Sequence, residues 1–165
     1  MRTKSIKGKY LTKQDRILIK IVGVDDKEYF LIFTRRMVIM SLNTMGRNLK
    51  TLLAQENVAK NPDDLDKALT KNKEKKSTPQ ATDEGPKLIQ QIKFSTIEKN
   101  KIAIPMISFL YDEKSNVEFM FPIQLINILI RLLNKLHLEA HWNIPSKKNP
   151  GNVAGLVESK KENLH

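Results

Sequence analysis

The chain has 165 residues, of which 40% are hydrophobic, and a formal net charge of +11. The absence of cysteine excludes disulfides, thiolate metal sites and a cysteine nucleophile, and a chain this basic is expected to attract polyanions. Because the sequence has no secretory signal and no unbroken apolar stretch long enough to span a membrane, it predicts a soluble cytoplasmic protein without membrane association.

The first twenty residues concentrate positive charge. They contain seven bases against a single acid, Asp15, which gives this segment +6 of the total. The pattern predicts a basic N-terminal arm over residues 1–15. This arm is either a solvated, charge-repelled start of the chain or an element that contacts nucleic acid, with Lys7, Lys9 and Lys13 as its candidate contacts.

Residues 16–56 have the pattern of a β-β-α unit. In residues 16–33, two runs rich in isoleucine, valine and aromatic residues flank an acidic turn, which predicts a β-hairpin. After Thr34 the apolar residues recur every three or four positions. This spacing predicts an amphipathic helix from Arg35 to about residue 55 with Thr34 as its N-cap. Gly46 is expected to weaken that helix by about 1 kcal/mol relative to alanine.

Two segments are polar and carry signals for irregular structure. Residues 57–86 predict a charged linker, in which residues 63–76 have the charge pattern of a short helix and residues 77–86 form a flexible connection. Residues 145–165 predict a mobile tail with two Lys-Lys pairs. A short apolar patch in this tail offers three side chains for docking on the rest of the molecule: Val153, Leu156 and Val157.

Order returns in residues 87–144, which predict a second strand and helix unit of the same domain. The runs LIQQIKF, IAIPMISFLY and VEFMF are strand-like, and Pro105 within the second run suits an edge strand or a bulge. A long helix is predicted to begin at Pro122, because proline is well tolerated in the first turn of a helix. This helix is apolar around most of its circumference.

The two ordered halves are similar when Phe33 is aligned with Phe121. Both read strand, acidic turn, strand and helix, with one extra residue in the second turn. The similarity indicates either an internal duplication or two amphipathic units of a common kind. The predicted fold is therefore α+β, with one antiparallel sheet built from two β-β-α units and with helices covering one face of the sheet.

The second helix has more apolar surface than so small a sheet is expected to cover. We therefore predict that it forms an association surface, either for a homodimer or for another protein partner. The alternative is that the first helix and the tail cover it within the chain. The candidate contacts on this helix are Ile126, Leu129, Ile130, Leu133 and Leu136.

The two histidines near the end of this helix are weak candidates for a metal site. His137 and His141 are four residues apart and would share a helical face, but the glutamate of a zinc-protease motif is missing and no third ligand lies nearby. Charge and packing at the helix end are the alternative role. The sequence has no recognised catalytic or nucleotide-binding motif, so it predicts no enzyme, no cofactor and no small-molecule substrate.

The first helix begins with two cations where acidic residues would be preferred. Arg35 and Arg36, together with free amides of the first turn, predict a site for a phosphate or a carboxylate, to which Arg47 and Lys50 add charge. The alternative is that both arginines extend into water. The first functional hypothesis is a non-catalytic interaction protein that associates through its apolar helix. The second is a nucleic-acid-binding protein that uses the basic arm and these arginines and contacts mostly the backbone.

Overall fold

Two runs of strands are each followed by one or two helices, which confirms the α+β class predicted from the sequence. The computed structural model describes residues 1–69 and 85–142. None of the helices in these ranges is long and apolar enough to cross a membrane. The elements in chain order are β1 (Thr3–Leu11), β2 (Arg16–Gly23), β3 (Glu28–Phe33), α1 (Arg35–Leu53), α2 (Pro62–Leu69), β4 (Lys87–Leu88), β5 (Gln91–Lys99), β6 (Ile102–Leu110), β7 (Asn116–Met120) and α3 (Ile123–Glu139).

The strands form two sheets rather than the single sheet predicted. One sheet has the order β1-β2-β3-β4 and the other has the order β5-β6-β7. Each set of three long strands is an antiparallel meander, and among the described residues the strand pairings between the two halves are short and parallel. In one of these, β4 pairs with β3, and in the other Arg2 bridges to Met120 in β7. The halves therefore share a core without sharing a long strand ladder.

The segment predicted as a basic arm is largely the edge strand β1. Ile6, Gly8 and Tyr10 lie opposite the buried isoleucines of β2, while Lys7 and Lys9 point to the other face. This alternation of apolar and charged positions is the period of a half-buried strand. The lysines hid it in the sequence because they dominate the charge of the segment.

Aromatic side chains join the inner faces of the two sheets. The ring centroids of Phe33 and Phe109 are 5.9 Å apart, and those of Tyr29 and Phe119 are 5.2 Å apart. Both pairs have the edge-to-face geometry that such rings prefer, which contributes about 0.5–1.5 kcal/mol per pair beyond area burial. The core thus lies between the sheets.

Each long helix packs on the first strand of the other half. Helix α1 contacts β5, α3 contacts β1, and the two helices contact each other. The predicted N-cap is confirmed, since the Thr34 hydroxyl accepts a hydrogen bond of 3.3 Å from the Met37 amide. Helix α1 continues through Gly46 to Leu53, close to its predicted end.

Pro105 lies in the central strand β6, not at an edge or a bulge. Its carbonyl accepts a hydrogen bond of 2.9 Å from the Phe121 amide, just beyond Met120, where β7 ends. In a strand, the amide and the carbonyl of one residue point towards the same neighbouring strand, so the amide that Pro105 lacks would have pointed towards β7. The proline is therefore tolerated here because the ladder with β7 has already ended.

The short helix predicted within residues 57–86 is present as α2. Leu65 and Ala68 of α2 are buried against Ile104, on the outer face of the second sheet. This part of the chain is therefore packed structure. The flexible connection predicted at residues 77–86 lies mostly outside the described residues, and the tail predicted at residues 145–165 lies entirely outside them.

The two halves share one strand register. Ile19 pairs with Leu31 in the first sheet as Ile107 pairs with Phe119 in the second, and each partner lies 88 positions further along. The extra residue predicted in the second turn is therefore not needed. The resemblance also includes β1 and β5, because Gly8 opposes Ile19 as Phe94 opposes Ile107. Both units are thus β-β-β-α. The additional strand of the second unit, β5, was predicted within the run LIQQIKF, whereas β1 of the first unit was not predicted.

Candidate nucleic-acid interface

The solvent face of α1 carries positive charge towards both of its ends. Arg36, Arg47 and Lys50 are exposed, and the 3.6-residue period places them along one side of the helix. The helix contains no aspartate or glutamate. Its opposite side is buried through residues that include Met37, Val38 and Met45. The amphipathic pattern that places the apolar side in the core therefore fixes the basic side towards water.

Helix α3 carries a matching charged side. Arg131 and Lys135 are exposed, and Lys135 takes the position in α3 that Arg47 takes in α1, 88 residues earlier. The only acid in α3 is Glu139, its last residue. Because α1 and α3 contact each other, their solvent-facing sides form neighbouring surfaces. We call these five bases the helix-pair stripe: Arg36, Arg47, Lys50, Arg131 and Lys135.

The helix-pair stripe is not neutralised by ion pairs with the described residues. The five ion pairs found within residues 1–69 and 85–142 join strands, turns and α2, and none includes a residue of α1 or α3. By contrast, Lys20 on β2 pairs with Glu28 at 2.6 Å. Unpaired exposed cations of one sign produce the local field that attracts polyanions.

Arg35 and Arg36, predicted to bind an anion together, are both exposed in the first turn of α1. The charge of Arg35 favours the ionised carboxylate of Asp15, whereas Arg36 belongs to the helix-pair stripe. Asp15 also accepts hydrogen bonds from the Tyr10 hydroxyl at 2.7 Å and from the Trp142 indole at 2.6 Å. These two bonds, followed by Arg35, lower the pKa of Asp15, while desolvation opposes them. Arg35 thus acts with a carboxylate of the same chain.

The lysines predicted as contacts of the arm lie away from the helix-pair stripe. Lys7 and Lys9 are on the outer face of the first sheet, where they line a groove of about 210 Å³ together with Leu18, Lys20 and Phe30. Lys13 is in the exposed turn between β1 and β2. The predicted basic residues therefore divide between a sheet face and the helices.

The predicted association surface on α3 is part of the core. Ile126, Leu129 and Leu133 are 0% exposed, and Leu136 is 4% exposed. Only Ile130 of the five is half-buried. The prediction of an exposed surface is wrong for the other four, because α1, β1 and the inner sheet faces cover this side of α3 within the chain. The alternative prediction was that the first helix and the tail cover the apolar surface of α3. The first helix does contact α3, and the tail lies outside the described residues.

The two histidines do not share a helical face. Helix α3 ends at Glu139, and His141 follows it with a left-handed φ of 54°. His137 is buried, and burial lowers the pKa of its imidazole. In the part of the chain that the structure describes, no three side chains of metal-binding type come together. The pair therefore lacks the geometry on which the weak metal prediction depended.

Arg131 and Lys135 are the site residues that sequence reasoning missed. Both lie in a helix whose pattern is dominated by apolar residues, and neither was predicted as a binding residue. The usable signal for Lys135 is its alignment with Arg47 when the two halves are compared. Comparison with protein-family models, curated proteins and solved structures finds no significant match to this chain.

Proposed function

We propose that this protein is a non-catalytic nucleic-acid-binding protein that contacts the phosphate backbone through the helix-pair stripe. The observation that supports this most is the pair of touching helices whose five exposed bases have no ion-pair partners among the described residues. A surface of this kind attracts phosphates and releases their counterions.

The length of the stripe suits a nucleic-acid backbone better than a single small anion. Arg36 and Lys50 are fourteen residues apart, which corresponds to about 21 Å along the helix axis at about 1.5 Å per residue. Phosphates of one DNA strand are spaced at about 3.4 Å along the duplex axis, so α1 alone extends over several of them.

Binding through these residues is directed at the backbone rather than at bases. The exposed side chains beside the bases on α1 and α3 include Met40 and Ile128, which are 37% and 39% exposed. Neither α1 nor α3 contains a phenylalanine, tyrosine or tryptophan on which a base would stack. Contacts from lysine and arginine to phosphates position a protein without specifying sequence. We therefore expect similar affinities for unrelated sequences.

Self-association through α3 is not the function we favour. That hypothesis depended on apolar residues of α3 that are buried in the core. The five bases of the helix-pair stripe, by contrast, are exposed on α1 and α3. The proposal thus keeps the non-catalytic role and takes the nucleic-acid alternative, with α1 and α3 in place of the N-terminal segment.

The test compares two double variants that remove the same charge from different surfaces. Arg47→Gln with Lys135→Gln is expected to weaken binding to a fluorescent mixed-sequence DNA or RNA by about tenfold in low salt, because two phosphate contacts are lost. The measurement is fluorescence anisotropy, with circular dichroism to check the fold.

Lys7→Gln with Lys9→Gln is the matched control on the outer face of the first sheet. It is expected to leave the affinity almost unchanged. An equal loss in both variants would assign the binding to net charge and overturn the site. Absence of binding by the unaltered protein at about 50 mM salt would overturn the function.

A further inference from the structure

Helix α2 covers an apolar patch on the outer face of the second sheet. Leu65 and Ala68 of α2 are 2% exposed, and Ile104 of β6 beneath them is fully buried. Ile97 and Met120 are partly buried at the margin of this contact. A sheet face with this many apolar residues is thereby removed from water.

The first sheet has apolar residues at the equivalent place, and no described helix lies on them. They are interleaved with basic residues of β1 and β2: Lys7, Lys9, Arg16 and Lys20. In the shared register, Leu11 opposite Arg16 corresponds to Ile97 opposite Ile104, and Ile32 corresponds to Met120. We call this surface the outer patch. Its apolar members are half-buried or exposed, with Leu88 37% exposed: Leu11, Leu18, Val22, Phe30, Ile32 and Leu88.

The sequence after α3 repeats the sequence that forms α2. After α1 the chain reads AQENVAKNPDDLDKAL (residues 54–69), and after α3 it reads AHWNIPSKKNPGNVAGLV (residues 140–157). Both contain Ala-x-x-Asn followed by Val or Ile, and then Lys-Asn-Pro, with two additional residues in the second copy. The apolar positions after Lys-Asn-Pro also coincide, so that Leu65, Ala68 and Leu69 correspond to Val153, Leu156 and Val157.

The residues that begin α2 have counterparts in this second copy. Asn61 and Asp64 form a reciprocal cap, in which each side chain accepts a hydrogen bond of 3.1 Å from the other's backbone amide. Asn149 and Asn152 occupy the same two positions around the shared proline. Asparagine is among the preferred N-cap residues, and its carbonyl can accept the second bond as well.

The two residues of an ion pair in one half correspond to two apolar residues in the other. Arg2 forms an ion pair with Asp66 of α2. Arg2 bridges to Met120, and Leu88 pairs with Ile32, which is the counterpart of Met120. Leu88 is therefore the counterpart of Arg2, and the counterpart of Asp66 is Ala154. Neither counterpart is charged, which is compatible with a contact between them.

The chain leaves α3 at the position from which it would reach the outer patch. Before α2, Asn57 and Ala59 exchange backbone hydrogen bonds with Ala103, near the start of β6. After α3, the Trp142 indole donates to Asp15, directly before the start of β2. The chain before α2 thus passes the start of β6, and the chain after α3 passes the start of β2, which is the corresponding strand of the other unit.

We propose that residues 143–157 dock on the outer patch of their own chain, as α2 docks on the second sheet. Val153, Leu156 and Val157 then cover the apolar side chains of β2, β3 and β4. Gly151 and Gly155 each reduce helix propensity by about 1 kcal/mol relative to alanine, so the segment depends on the sheet for its order. This proposal does not rest on nucleic-acid binding.

Thiol labelling of a single introduced cysteine tests the proposal, because the chain has none of its own. Ile32→Cys places the thiol in the outer patch of the full-length chain. Adding Leu156→Asp is expected to raise the labelling rate by about tenfold, since a buried carboxylate opposes docking and the segment opens more often. Leu156→Ala is expected to give a smaller increase and serves if the aspartate variant aggregates.

Ser146→Asp is the matched control, since Ser146 is one of the two additional residues and has no counterpart in α2. It is expected to leave the rate unchanged. Equal labelling in the Leu156 variants and the parent would overturn the proposal. Protection that disappears on dilution would also overturn it, because the segment would then come from a second copy.

Discussion

At the residue scale, Asp15 connects the turn before β2 to the chain after α3. It has a left-handed φ of 50° and accepts hydrogen bonds from Tyr10 and Trp142. The Tyr10 bond, then the Trp142 bond, lower the pKa of its carboxyl, and the charge of Arg35 adds to this. A carboxylate with a lowered pKa stabilises the folded state above its unfolded pKa, and this contribution is lost as the pH falls through the folded pKa.

Asp15→Asn therefore changes how the tryptophan responds to acid. Trp142 is the only tryptophan, so its fluorescence reports on this cluster. In the unaltered protein we expect an acid transition in the fluorescence with a midpoint below the ordinary pKa of an aspartate. In the Asn variant, which tolerates the same φ, we expect that transition to be absent. A transition that persists unchanged in the variant would contradict this role of Asp15.

At the element scale, two glycines show what strand and helix packing each require. An ideal Cβ on Gly8 of β1 would lie 2.8 Å from Ile19 Cδ1 and 2.9 Å from Leu136 Cδ1. A Cβ on Gly46 of α1 would have no atom within 4 Å. Gly8 permits α3 to approach the edge strand closely, whereas Gly46 only loosens a helix.

The same substitution should therefore have opposite effects at the two sites. Gly8→Ala is expected to lower the free energy of unfolding by about 1–2 kcal/mol through overpacking. Gly46→Ala is expected to raise it by about 1 kcal/mol through helix propensity. Urea denaturation of both variants measures these changes. A stabilised Gly8→Ala variant would show that α3 does not press on β1.

Elements set by local pattern were predicted, and those set by distant contacts were not. The hairpin of β2 and β3 and the start of α1 followed from alternation and a cap residue, which are properties of neighbouring residues. Strand β1 was missed because its inward positions are Ile6, Gly8 and Tyr10, a weak apolar signal among lysines. The division into two sheets falls within the run LIQQIKF, where Leu88 pairs with β3 and residues from Gln91 pair with β6, and no local pattern marks that break.

The candidate site shows the same limit. Arg36 was predicted to bind anions from its place in the first turn of a helix, and Arg47 and Lys50 were predicted to add charge to that site. The contact between α1 and α3, which brings these bases next to those of α3, could not be predicted from the sequence. It depends on which side of each helix is covered by the strands of the other half. The burial of Leu129 and Leu133 has the same cause.

At the scale of the whole molecule, the two β-β-β-α units are interlocked. Each helix packs on the first strand of the other unit, and the short parallel pairings also run between units. This exchange brings α1 and α3 together and directs their apolar sides inwards. The basic sides of both helices are left in water, which creates the helix-pair stripe.

The salt dependence of nucleic-acid binding tests the central claim most directly. If the five bases of the stripe each neutralise one phosphate, the logarithm of the binding constant should fall with the logarithm of salt concentration with a slope of about −4.5 on duplex DNA. Arg47→Gln with Lys135→Gln should reduce the magnitude of that slope by about 2, while Lys7→Gln with Lys9→Gln should leave it unchanged. An unchanged slope in the helix variant, or the same reduction in both variants, would contradict the account.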